Sequence, residues 1–148
     1  MRIAIGSDEV TALTDDLVGA LRAAGHEITL HGPLAGGDEE WVAASAAVAR
    51  EVAAGRAERG VVCCWSGTGA SIAANKVPGA RAALCADPET ARMARRYNHA
   101  NVLALSLRLT SAPMGREIVE AFLAEPDGAD DFDRRNVEQL RALEVPPG

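Results

Sequence analysis

Short β-branched or apolar runs alternate with longer stretches of helical period along the sequence, and this alternation restricts the fold most. Arg2–Gly6 reads as a buried strand. Val10–Ala24 follows with Val10, Leu13, Leu17, Val18 and Leu21 at helical spacing, and Gly25 stops it. The spacing predicts further strands over Glu27–His31, Gly60–Cys64, Ala80–Leu84 and Asn101–Leu105. Helices are expected over Glu40–Ala54, from the Gly67–Gly69 loop through Lys76, and over Asp87–Tyr97 and Thr110–Ala124. Asp87 suits an N-cap, with Pro88 at the first helical position. Glu125–Gly128 breaks the chain before a last amphipathic segment, Asp131–Leu143, which stops before Pro146-Pro147. Five β/α repeats within 148 residues imply one α/β domain, a parallel sheet covered by helices on both faces. Ligands bind such sheets beyond the carboxyl ends of the strands. The loops Ser7–Glu9, Gly32–Glu39, Trp65–Gly69, Cys85–Asp87 and Ser106–Arg108 are therefore the ones to search.

Composition removes several classes of function. With 21 acidic and 15 basic residues the formal charge is −6, the wrong sign for a nucleic-acid binder. The hydrophobic fraction of 48% supports a packed core, and no apolar run approaches a membrane span. The opening residues do not have the pattern of a signal peptide. Cys63, Cys64 and Cys85 form neither a disulfide framework nor a CxxC motif, which points to a reduced, cytoplasmic protein. His26 and His31 lack partners at metal spacing, so neither metal nor cofactor is expected. Met93 and Met114 fall at helical positions and read as core filler.

Chemistry concentrates in Cys63-Cys64-Trp65-Ser66-Gly67-Thr68-Gly69-Ala70-Ser71-Ile72-Ala73-Ala74-Asn75-Lys76. A strand delivers Cys64 to the sheet edge, and a glycine turn then opens a helix whose first amides can cradle an anion. A thiol beside such a cradle suits proton abstraction alpha to a carbonyl, or nucleophilic attack. The alternative is that Cys64 is a small buried hydrophobe. Gly67-Thr68-Gly69 also half-matches a dinucleotide fingerprint, but Ile72 holds the third glycine position and the chain leaves no room for a substrate domain. Lys76 at a helix end reads as a cation complementing the helix dipole.

The run from Cys64 to Lys76 resembles the type B ribose-5-phosphate isomerases and the galactose-6-phosphate isomerase subunits. Gly6-x-Asp8, Arg81-x-Ala83-x-Cys85, Asn98, Asn101-Val102-Leu103-Ala104 and Arg108 extend the likeness. The resemblance implies a three-layer Rossmann-like fold with a five-stranded parallel sheet and an extra C-terminal helix. It also implies a homodimer with sites at the subunit interface, toward which the helix at about 130–143 would pack. The implied reaction interconverts an aldose phosphate and a ketose phosphate without a metal. Cys64 would move the proton between C1 and C2, and the amides of Gly67, Thr68, Gly69, Ala70 and Ser71 would hold the enediolate oxygen. Asp8 would bind sugar hydroxyls, Ser66 would stand near the reacting carbonyl, Asn98 near the reacting end and Arg108 at the phosphate.

The departures bear on the substrate. Glu9 stands where the family has a phosphate-facing histidine, and Tyr97 aligns with the histidine associated with ring opening. Trp65 replaces a glycine, adding bulk to the pocket. Two family arginines align with Phe132 and Asn136, leaving Arg134 and Arg135 to supply phosphate charge in another geometry. Trp41 aligns with a tyrosine near the family's pocket and reads equally as packing or pocket wall. A small open-chain substrate such as an erythrulose phosphate fits these changes, while Tyr97 as a proton donor keeps five-carbon sugars in play. The competing reading is a non-catalytic phosphosugar or nucleotide sensor on the same fold.

Overall fold

The computed structural model describes residues 1–144, so the expected stop at Pro146-Pro147 lies outside the described residues. Five strands, β1 (Arg2–Ser7), β2 (Glu27–His31), β3 (Arg59–Cys64), β4 (Ala82–Leu84) and β5 (Val102–Ser106), form one sheet in the order β2-β1-β3-β5-β4. All neighbours are parallel. Six α-helices accompany them: α1 (Ala12–Ala23), α2 (Trp41–Ala53), α3 (Thr68–Asn75), α4 (Pro88–Asn98), α5 (Ala112–Ala124) and α6 (Asp131–Leu143). The loop expected at Gly32-Pro33 contains a short 3-10 turn, Gly32–Ala35, closed by Gly36 in the left-handed region.

Alternation along the central strands builds two cores. Ile3, Ile5, Val61, Cys63, Leu103 and Leu105 meet Leu13, Leu17, Ile118 and Phe122 from α1 and α5. On the other face Ala4, Val62, Cys64 and Ala104 meet Val48, Val52, Ala70 and Ala74 from α2 and α3. Small residues dominate the second face and draw its helices close. A Cβ at Gly6 or Gly60 would lie within 2.8 or 2.7 Å of Val48, a separation side chains do not tolerate.

Strand order follows burial. Val102, Leu103, Ala104 and Leu105 are wholly buried, so β5 lies inside the sheet, while the three-residue β4 takes the edge. Strand β4 starts at Ala82 rather than Ala80 because the Arg81 amide donates to the Asn101 side chain at 2.8 Å. Asn75 then bonds both the amide and the carbonyl of Ala82, at 2.8 and 2.9 Å, blunting the edge. Helix α1 starts two residues later than expected, because Thr11 and Thr14 form a reciprocal cap. Asp87 caps α4 as expected, accepting from the Thr90 amide at 2.8 Å. Met93 and Met114, expected in the core, are instead exposed on the outer faces of α4 and α5.

Candidate active site

Strands β1 and β3 are adjacent, and the chain turns from one to opposite sides of the other, so their carboxyl ends flank the crevice where such sheets bind ligands. Ser7 is in register with Cys63, which brings Asp8 and Cys64 to the same edge. Cys64 is the last residue of β3 and only 5% exposed. Gly67 follows with φ +76° and caps α3, and its amide donates to the Cys64 carbonyl at 3.2 Å. The Ala70 amide points back at the Cys64 sulfur, N···Sγ 3.4 Å, and the Ser71 amide closes the first helical turn on the Gly67 carbonyl at 3.1 Å. The first two helical amides, those of Thr68 and Gly69, precede any intrahelical partner and remain for a ligand. Beside them the hydroxyls of Ser66 and Thr68 share a 2.7 Å hydrogen bond.

The loop after β5 is laced to this turn. Leu107 donates to the Cys64 carbonyl at 2.9 Å, Arg108 to the Trp65 carbonyl at 3.0 Å, and Ser106 Oγ to the same Trp65 carbonyl at 3.0 Å. Arg108 is thereby fixed next to Trp65, whose side chain is exposed. One oxygen of Asp8, Oδ1, is buried without a protein partner, and Glu9 lies exposed beside it. A buried carboxylate oxygen calls for a donor, and a sugar hydroxyl is one.

The neighbouring cysteines have a different environment. Cys63 faces the opposite core, and burial, then the charges of Cys64 and Asp8, push its thiol up to about 12. Burial, with a contribution from Asp87, likewise raises Cys85 to about 11. Both are therefore protonated packing residues at neutral pH.

The remaining predicted residues lie elsewhere. Tyr97 and Asn98 end α4, which runs back from the carboxyl edge, so they stand at the far edge of the sheet from Cys64. There they line a cleft of about 390 Å³ with Phe132, Asp133, Asn136 and Gln139. Helix α6 packs on α4 of its own chain through Asp133 and Val137, leaving Phe132 and Leu143 exposed. Arg134 and Arg135 are exposed on α6, with Arg134 3.6 Å from Asp131, and neither lines the cleft. The segment before α6 is tied to α4 by buried Arg95, which donates to the Ala100 and Glu125 carbonyls and pairs with Asp127 at 2.7 Å. The Cys64 turn and the Tyr97–Asn98 cleft thus lie at opposite ends of the sheet. Among the described residues no three His, Cys, Asp or Glu side chains converge as metal ligands. None of the described helices is long and apolar enough to cross a membrane.

Sequence reading missed the lacing by Ser106 and the edge-capping role of Asn75. A serine closing the last strand and an asparagine closing a helix were the available signals, and neither names its partner.

An α/β chain with a cysteine and a glycine turn at the end of its third strand matches one family description, Ribose/Galactose Isomerase, over residues 3–140. The chain belongs to the ribose/galactose isomerase family. It is 34% identical to ribose-5-phosphate isomerase B of Escherichia coli over 145 residues, 97% of this chain and 96% of the relative. Galactose-6-phosphate isomerase subunit LacB of Clostridium acetobutylicum is 36% identical over 83% of this chain and 72% of its own. The structure of Clostridium thermocellum ribose-5-phosphate isomerase B superposes with a TM-score of 0.90 at 35% identity, covering 97% of each chain.

Proposed function

We propose that this sugar-phosphate isomerase shuttles a proton between C1 and C2 of an open-chain aldose or ketose phosphate, with Cys64 as the base. The observation that carries the reading is the Cys64 sulfur held 3.4 Å from the Ala70 amide, beside the open amides of Thr68 and Gly69. In the aldose-to-ketose direction the Cys64 thiolate takes the C2 proton. The freed electron pair forms the C1–C2 double bond and moves charge onto O1, where the helix amides stabilise it. The O2 proton passes to O1, with the Ser66–Thr68 hydroxyl pair alongside, and the thiol returns its proton to C1, leaving a ketone at C2. Asp8 Oδ1 accepts a substrate hydroxyl.

A second copy completes the site. Trp65, Ile72, Leu84 and Leu109 are exposed near the Cys64 turn, and Tyr97, Phe132, Leu140 and Leu143 are exposed at the other end. A two-fold pairing that lays one group on the other covers both apolar groups at once and brings Tyr97 and Asn98 of one protomer to Cys64 of the other. Arg108 on the Cys64 side, with Arg134 and Arg135 from the partner, supplies the phosphate charge. Trp65 at the turn and a tyrosine in place of a ring-opening base favour a short substrate that stays open, a four-carbon ketose phosphate of the erythrulose type.

The test is turnover, followed by NMR, of four-, five- and six-carbon aldose and ketose phosphates by the wild-type protein and by Cys64→Ala. Conversion of one of them, lost in the variant, supports the reading. No conversion across the panel, with binding indifferent to Cys64→Ala, would make the chain a phosphosugar-binding protein instead.

A further inference from the structure

We infer that Trp41 is a positioning residue that sets the geometry of the anion cradle, a conclusion that rests on the isomerase reading above. Gly69 supplies one of the two open amides. A Cβ built on it would lie 2.9, 3.0 and 3.3 Å from Cε3, Cζ3 and Cδ2 of Trp41, so the six-membered part of the indole lies directly against the Gly69 backbone. No side chain fits between them. On the other side of the same turn, a Cβ at Gly67 would meet Leu84, the Leu105 carbonyl carbon and the Ser106 amide nitrogen at 2.6–2.9 Å. The turn is therefore clamped between the sheet edge at Gly67 and the indole at Gly69.

Trp41 is suited to that task by its place. It is the first residue of α2, and one turn later Ala44 and Ser45 are almost fully buried. Helices α2 and α3 pack closely through small side chains, which fixes the base of the indole. Yet Trp41 is 40% exposed, far more than a core tryptophan, so the ring lies on the Gly69 backbone and not inside the core. A core role alone would be served by a ring turned into the sheet. Its position explains why Gly69, unlike Gly67, is glycine without a left-handed backbone: the constraint is the ring, not the dihedral.

The amides stabilise charge that exists only in the enediolate, so displacing them lowers kcat and leaves ground-state binding nearly unchanged. Trp41→Ala is expected to lower kcat roughly tenfold or more with KM within about twofold, since misplacing a preorganised donor has that scale of effect. Trp41→Phe, which keeps a ring on Gly69, is expected to recover most of the loss. Gly69→Ala is expected to reproduce it. The chain has two tryptophans, so Trp65→Phe leaves Trp41 as the only indole emitter. Its fluorescence is expected to change saturably with D-erythrulose 4-phosphate or D-ribulose 5-phosphate, whichever the protein converts. A wild-type protein that converts no sugar phosphate overturns the isomerase reading. A wild-type protein that does convert one, with kcat of Trp41→Ala within twofold or with KM alone changed, overturns the role of Trp41. Equal losses in Trp41→Phe and Trp41→Ala, tracking a loss of folded protein by circular dichroism, overturn it as well.

Discussion

The amide of Ala70 points at the sulfur of Cys64 across 3.4 Å, joining the first turn of α3 to the end of a strand six residues earlier. The contact depends on Gly67, which alone reverses the chain between them. Its φ of +76° lies in the region that L side chains avoid, and the backbone of Leu105 and Ser106 fills the space where a Cβ would go. Gly67→Ala is expected to lower unfolding free energy by about 2–4 kcal/mol, the sum of left-handed strain and overpacking against backbone that cannot rotate away. Urea unfolding followed by circular dichroism measures it.

The proposed two-fold pairing leads to a complementation test. A Cys64→Ala chain keeps its Tyr97–Asn98 end intact, and a Tyr97→Phe/Asn98→Ala chain keeps its cysteine turn. Each is expected to be inactive or nearly so as a homodimer. Co-folded at equal amounts, half the dimers are hybrids with one intact site each, so activity should return to about a quarter of wild type. Mixtures no more active than their parents would place the whole site within one chain.

Acid should weaken the fold below the carboxylate range. Side-chain hydrogen bonds from Arg116 to Asp16 and from Arg56 to Glu51 hold those carboxyls below their ordinary values, as the Arg2 amide does for Glu58. The hydroxyl and amide of Thr90 do the same for Asp87. A carboxyl that folding makes more acidic contributes stability above its unfolded value and loses it as pH falls through the folded one. The urea midpoint is therefore expected to be level from pH 7 to about 5.5 and to fall below about 4.5. Asp87→Asn should lower the midpoint at pH 7, with the gap to wild type closing toward pH 3.

Much of this was legible in the sequence, for identifiable reasons. The helices announced themselves by period and caps, as at Asp87-Pro88, and Gly67 marked the cradle because its left-handed backbone suits glycine. Ile72 at the third glycine position proved informative too: it is 60% exposed, so that helix face never needed a close approach to the sheet. Errors came where a distant side chain decided the outcome. Asn101 delayed β4 by holding the Arg81 amide, and the surface took Met93 and Met114 because Ala91, Ala94 and Ile118 already filled the core. Trp41 was ambiguous because its contact with Gly69 spans 28 positions and appears only once α2 and α3 are packed. The sequence reading placed Tyr97 only by its alignment with a ring-opening histidine, and its position at the sheet edge opposite Cys64 emerged from the fold. The proposed pairing with a second copy rests on surfaces that one chain's strand–helix pattern does not contain.

The most direct test of the central claim is solvent exchange in heavy water. Wild-type protein, incubated with the sugar phosphate it converts, should place deuterium from solvent at C1 or C2 as a thiol picks up solvent hydrogen between the two transfers. Cys64→Ala, still folded and still binding the sugar, should lose exchange and turnover together by about 10²–10⁴-fold. Turnover and exchange that survive in Cys64→Ala would contradict the account and assign the proton to another base.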